Sequence, residues 1–121
     1  MQTVAVLGGN FAGVTAAFDI KRKLKQDVGV LVISKSDLFV LIPSLIWLTP
    51  SWRNEAQITF PLQPAPEPKD IRFIHANAER VDVNSNAVFA GGREEKYDFL
   101  VVATGPHLDF KAVRGTGPEA L

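Results

Sequence analysis

Gly8, Asn10 and Gly13 lie in the stretch Leu7-Gly-Gly-Asn-Phe-Ala-Gly13, between a short apolar run and a helical pattern. In a strand, turn and helix unit, a first glycine makes the tight turn and a second lets a pyrophosphate approach the backbone. A third lets the helix pack on the strand. Gly8, Asn10 and Gly13 occupy those places. The chemistry expected of them is capture of a dinucleotide diphosphate by unpaired amides and the positive dipole end of a helix. The candidate cradle is Gly8, Gly9, Asn10, Phe11, Ala12 and Gly13. Asn10 departs from the pattern, but asparagine tolerates positive φ better than other non-glycine residues, and its amide could donate to a phosphate oxygen. The bland alternative is a tight turn in an α/β domain that binds nothing.

Such sites also carry a carboxylate about 20 residues further on, for the ribose hydroxyls. This chain has Ser34-Lys35 there and Asp37 just beyond. Ser34 and Lys35 are therefore the candidate contacts on that side, with the Ser34 hydroxyl able to pair with a sugar hydroxyl. His75 and His107 show no ligand spacing and are expected to be structural or on the surface. Asp98 is expected to form a turn or cap, and Glu94-Glu95-Lys96 to be a solvated charge run. Arg53 could face a diphosphate or a carboxylate, with the surface as the alternative. No catalytic residue and no metal ligand is assigned.

The elements that must position these residues follow from periodicity. Thr3-Val-Ala-Val-Leu7 reads as a strand buried on both faces. From Gly13, Ala16, Ala17, Ile20 and Leu24 recur at helical spacing, with the basic tail Lys21 to Lys25 expected on a solvated face. Val28 to Ile33 reads as a second strand parallel to the first. Leu38 to Leu48 is apolar without a clean period, and PLQPAPEP at 61–68 reads as an extended connection without regular structure. Ile71 to Ile74 reads as a third parallel strand. Ala78 to Val83, Asn86 to Ala90 and a short run near Tyr97 form an antiparallel meander, turned at Asn84-Ser85 and Gly91-Gly92. Phe99 to Ala103 is another buried strand, ending in Thr104-Gly105-Pro106. The fold class is α/β: a Rossmann-like parallel sheet with a βαβ dinucleotide-binding unit and a small antiparallel meander.

Bulk properties narrow the function. At 121 residues the chain has room for one domain of ordinary size. With 13 basic against 13 acidic residues, no net field recruits nucleic acid or an anionic membrane. Absence of cysteine removes disulfides, thiolate metal sites and cysteine chemistry from this chain. The first strand begins too early for a secretory signal, so a cytoplasmic location is expected. The longest apolar run, broken by Pro43, is far below the roughly 20 residues that span a bilayer.

Three segments together resemble the FAD-binding half of the pyridine nucleotide-disulfide oxidoreductase superfamily and, within it, the sulfide:quinone oxidoreductases. They are VLGGNFAGVTAAFDIKRKL at 6–24, VISKSDLFVLIPSLIW at 32–47 and YDFLVVATGPHLDF at 97–110. The resemblance implies FAD as cofactor, with its diphosphate on the first glycine turn. It implies that Ala103, Thr104 and Gly105 approach the cofactor from the far side, and that the Pro43 segment borders the isoalloxazine. For an intact enzyme it implies electron transfer from sulfide through the flavin to a quinone, with possible attachment to the membrane surface. Residues 1–110 are then the first segment of the FAD domain and 111–121 a linker toward a domain absent from this chain, which alone is expected to be inactive. Three alternatives stay open. One is an NAD(P)H-dependent flavoprotein such as a type II NADH:quinone oxidoreductase, and another is a stand-alone dinucleotide-binding module. The third is a homo-oligomer that pairs exposed sheet edges.

Overall fold

The computed structural model describes residues 1–63 and 70–118. In chain order the elements are β1 (Gln2–Leu7), α1 (Phe11–Leu24), β2 (Val28–Ser34), β3 (Leu38–Val40), β4 (Thr59–Pro61) and β5 (Ile71–His75). After them come β6 (Ala78–Asp82), β7 (Ala87–Ala90), β8 (Arg93–Lys96) and β9 (Phe99–Val102).

β1 lies inside a four-stranded parallel sheet of order β5-β2-β1-β9. Its apolar run needs cover on two faces, and the alternation of its side chains divides that work. Val4 and Val6 point to the same side as Val28, Val30 and Val32, where Ala17 of α1 closes the layer. Ala5 and Leu7 point the other way with Leu31 and Ile33, onto Val88, Ala90 and Tyr97. Helix, parallel sheet and antiparallel sheet β6-β7-β8 thus form three layers with two apolar interfaces.

The meander matches the expected turns. Gly91 (φ 57°) and Gly92 (φ 73°) both adopt the left-handed region that a two-residue hairpin turn demands. Its third strand differs from expectation. The charge run Glu94-Glu95-Lys96 is itself β8, in register with Val88 and Phe89 of β7, while Tyr97 lies just past the strand and is buried. The alternation of β8 is masked because all four of its residues are charged, and Glu95 forms an ion pair with Arg72 of β5. Lys21 is a second correction. Instead of joining a solvated face it is buried, donating from Nζ to the Val28 carbonyl (3.0 Å) and facing Asp70 at 3.8 Å. Pro61 closes β4 instead of opening an irregular stretch, and the rest of the proline-rich segment, from Pro64 to Pro68, falls outside the described residues. The β3–β4 pairing joins strands almost 20 residues apart, so no local period announced it.

Asp98 behaves as a cap, as expected. The Thr3 amide donates to Asp98 Oδ2 (2.7 Å) and the Asp98 amide donates to the Thr3 carbonyl (2.9 Å), which ties β9 to the start of β1. Asp98→Ala removes a charge-assisted acceptor worth about 1.5–3 kcal/mol when desolvated, and exposure here keeps the effect near 1 kcal/mol. Chemical denaturation is expected to show a midpoint lowered accordingly, with an unchanged m-value.

Asp82 closes the β6–β7 turn by accepting from the Asn84 (3.0 Å) and Ser85 (3.2 Å) amides. The Ser85 amide, then the Asn84 amide, hold its carboxyl below the usual 3.8. A depressed folded-state value stabilises the fold above the unfolded value and is lost as pH falls through the folded one. An NMR titration of the Asp82 carboxylate is therefore expected to have its midpoint below 3.8, and a midpoint at or above it contradicts the turn geometry.

Candidate functional site

All four parallel strands point the same way, so Leu7, Ser34, His75 and Val102 share one edge of the sheet. The ladder runs on into the loops there. The Gly8 amide donates to the Ile33 carbonyl (2.9 Å), the Ala103 amide to the Leu7 carbonyl (2.8 Å) and the Ala76 amide to the Ser34 carbonyl (2.9 Å). Open parallel sheets present ligands at this carboxyl edge. A cleft of about 360 Å³ lies instead at the opposite edge, lined by Met1, Thr3, Gly29, Asp70, Ile71 and Arg72 among others. It faces no helix N-terminus of the βαβ unit, and the geometry favours the carboxyl edge.

The glycines are required by the backbone around them. Gly8 has φ +110°, and a Cβ there would fall 2.1 Å from the Ala103 carbonyl oxygen, so the turn and the Ala103-Thr104 strand end are packed together. A Cβ at Gly13 would fall 1.9 Å from the Gly8 carbonyl oxygen, the close approach of helix to turn expected of the third glycine. At Gly9 the missing side chain is replaced by Leu62 Cδ1 and Ser34 Oγ, 2.6 and 2.8 Å from where a Cβ would be. Gly105 is different: it has φ +71° and open space around it.

Asn10 corrects the expectation of positive φ. Its backbone is extended (φ −117°, ψ −159°), and it serves as the N-cap of α1, with Oδ1 accepting from the Phe11 amide at 2.9 Å. The helix accordingly begins at Phe11, two residues before Gly13. The first i to i−4 bond runs from the Val14 amide to the Asn10 carbonyl (2.8 Å), which leaves the Ala12 and Gly13 amides ahead of the helical ladder. The first turn holds no acidic residue to repel an anion.

Ser34 is buried beside Gly9. Its Oγ accepts weakly from the Ser36 amide (3.3 Å), which leaves its own proton available. Lys35 is exposed, and its carbonyl oxygen lies 3.0 Å from His75 Nε2, a pairing that needs the proton on that nitrogen. Pro43 is exposed at the start of a 3₁₀ turn, Ile42–Trp47, whose Ser44 is buried. Arg53 stacks on Trp47 at 4.4 Å. Gly8, Gly9, Gly13, Ser34, Ala103 and Thr104 are thus brought to one place, with Asn10, Phe11 and Ala12 at the adjoining helix mouth. Sequence reading missed Leu62 and Phe60, whose partners lie far away along the chain. Phe39 meets Phe11 edge-on with ring centroids 4.9 Å apart, and Phe60 lies 6.4 Å beyond.

The sequence and the fold have counterparts among known proteins. The chain is 36% identical over 110 residues to the sulfide-quinone reductase of Aquifex aeolicus, a match covering 90% of this chain and 25% of that one. The crystal structure of that organism's sulfide:quinone oxidoreductase superposes with a TM-score of 0.85 at 34% identity, over 91% of this chain and 26% of that one. The chain is a homologue of the sulfide:quinone oxidoreductases. It spans about a quarter of the length of these relatives. NDH2 from Plasmodium falciparum, in complex with NADH, superposes with a TM-score of 0.80 at 17% identity, over 94% of this chain and 24% of that one, which shows the shared fold. No family model matches the chain. The Rossmann-like α/β class is the fold of these flavoprotein oxidoreductases. Among the described residues no helix is long and apolar enough to cross a membrane.

Proposed function

We propose that the chain is the first FAD-binding segment of a flavin-dependent oxidoreductase of the sulfide:quinone type. The observation that carries this reading is the meeting of the Gly8 turn, the unladdered Ala12 and Gly13 amides, Ser34 and the Ala103-Thr104 strand end at one sheet edge. The residues fit the group. An uncharged helix mouth suits a diphosphate, a buried hydroxyl with a spare proton suits a ribose, and the open space at Gly105 suits passage of a cofactor. FAD supplies two-electron redox chemistry when bound. The chain's share is to hold and orient it: Gly9 to Gly13 at the diphosphate, Ser34 and Lys35 at the ribose, Ala103 to Gly105 opposite, and the Pro43 segment at the ring system. Residues 1–110 form this segment on the same reading, with 111–121 leading toward a further domain. Sulfide, quinone and peripheral membrane attachment, on the cytoplasmic side, belong to the intact enzyme. Identity of 36% to a sulfide-quinone reductase, against 25% to a type II NADH:quinone oxidoreductase, favours this reading over an NADH-linked flavoenzyme.

Calorimetric titration of the purified chain with FAD and with NAD tests the reading. Preferential binding of FAD is expected, and preferential binding of NAD favours a dinucleotide module instead. Asn10→Gly sharpens the test. Glycine is only a few tenths of a kcal/mol worse than asparagine as an N-cap, so stability changes little. Release of the Phe11 amide adds one donor to the diphosphate, and FAD affinity is expected to rise about tenfold, the net worth of roughly one hydrogen bond. Unchanged or weaker binding shows instead that the asparagine amide itself grips the phosphate.

A further inference from the structure

The ligand turn is joined to the β3–β4 excursion at two points. Phe11, the first residue of α1, touches Phe39 of β3, which continues to Phe60 of β4. Leu62, just past β4, fills the space left by the absent side chain of Gly9. The excursion also closes on itself through the Leu41 amide to the Ile58 carbonyl and the Leu62 amide to the Asp37 carbonyl, both 2.8 Å. Everything between β3 and β4, including the 3₁₀ turn with exposed Ile42 (52%) and Ile46 (70%), is therefore carried on a pair of strands with only three residues each. Strands that short are marginal alone and need a packed face. Phe11 and Leu62 supply contacts between that face and the turn.

We infer that Phe11 is a positioning residue that couples occupancy of the glycine turn to the order of residues 38–62. An anion on the first helix amides fixes the backbone of Phe11, and with it the ring on which Phe39 rests. This inference rests on the FAD reading above, but the contact itself exists without ligand. The coupling is a linkage, so ligand that steadies the turn also steadies the excursion. On the same reading the ring system of FAD meets the Pro43 segment directly, so ADP, which carries the diphosphate without the isoalloxazine, isolates the path through the Phe11 ring.

Hydrogen exchange of the 121-residue chain, without ligand and with ADP at concentrations that saturate each variant, tests this. ADP is expected to slow exchange at 9–13 and, by about tenfold, at Leu41, whose amide reports closure of the excursion and is remote from the Leu62 contact with Gly9. In saturated Phe11→Ala the slowing at Leu41 falls below about twofold, and Phe11→Tyr restores it. Phe39→Leu, which keeps apolar volume but removes the edge-on pair, reproduces the loss. A purely structural role for Phe11 speeds Leu41 equally with and without ADP, leaving the ratio intact, and overturns the inference. Slowing at 9–13 without any at Leu41 in the unsubstituted chain overturns it alone. No slowing at 9–13 with either ADP or FAD overturns the FAD reading and the inference together.

Discussion

Gly13→Ala is expected to destabilise the fold by about 3 kcal/mol or more, at the upper end of what overpacking costs. Helix propensity alone argues for the opposite sign, since alanine in place of glycine in a helix interior stabilises by about 1 kcal/mol. Geometry decides between them. The new Cβ would fall 1.9 Å from the Gly8 carbonyl oxygen and 2.9 Å from its carbonyl carbon, and backbone atoms cannot step aside as a side-chain tip can. Relief requires α1 to lift from β1, opening the interface where Ala17 covers Val4 and Val6. Against a total stability of roughly 5–15 kcal/mol, that loss removes a large fraction. Urea denaturation measures it, and a midpoint equal to or above that of the unsubstituted chain contradicts the packing described.

Gly8→Ala is expected to be comparably severe for two independent reasons. Its φ of +110° strains any L side chain, and the Cβ would lie 2.1 Å from the Ala103 carbonyl oxygen. Backbone strain contributes about 1–3 kcal/mol and the clash a similar amount. Gly105→Ala isolates the first cause, because φ is +71° there while no atom lies within 4 Å of the added carbon. Its expected cost is about 1–2 kcal/mol. Thermal unfolding of the two variants should therefore differ clearly, and equal melting temperatures contradict the close contact between turn and β9. The Gly8 variant is also expected to weaken FAD binding through displacement of Ala103 and Thr104.

The central βαβ unit was legible because its signals are local. An apolar run between Thr3 and Leu7, glycines at fixed offsets and a helical period in Ala16, Ala17 and Ile20 each constrain the same backbone. What escaped depends on contacts distant in sequence. β3 and β4 pair across a long excursion, and Leu62 reaches Gly9 from more than 50 residues away. β8 is written entirely in charged residues, so its strand conformation comes from pairing with β7 and from the Arg72 ion pair instead of its own pattern. Lys21 reads as solvated because lysine is rarely buried, yet the Val28 carbonyl gives its ammonium a partner. Asn10 was read for its tolerance of unusual φ, whereas its more common property, capping, applies. The positions of Gly8, Gly13 and the Ala103 strand end were foreseen from spacing and resemblance. Their mutual contact required the fold.

The most direct measurement is a ¹H–¹⁵N NMR titration of the chain with FAD. The account predicts the largest amide shifts at Ala12 and Gly13, with smaller ones at Gly9, Ser34 and Gly105. Shifts confined to the opposite edge, at Thr3, Gly29 and Ile71, or none at the helix mouth, would contradict it.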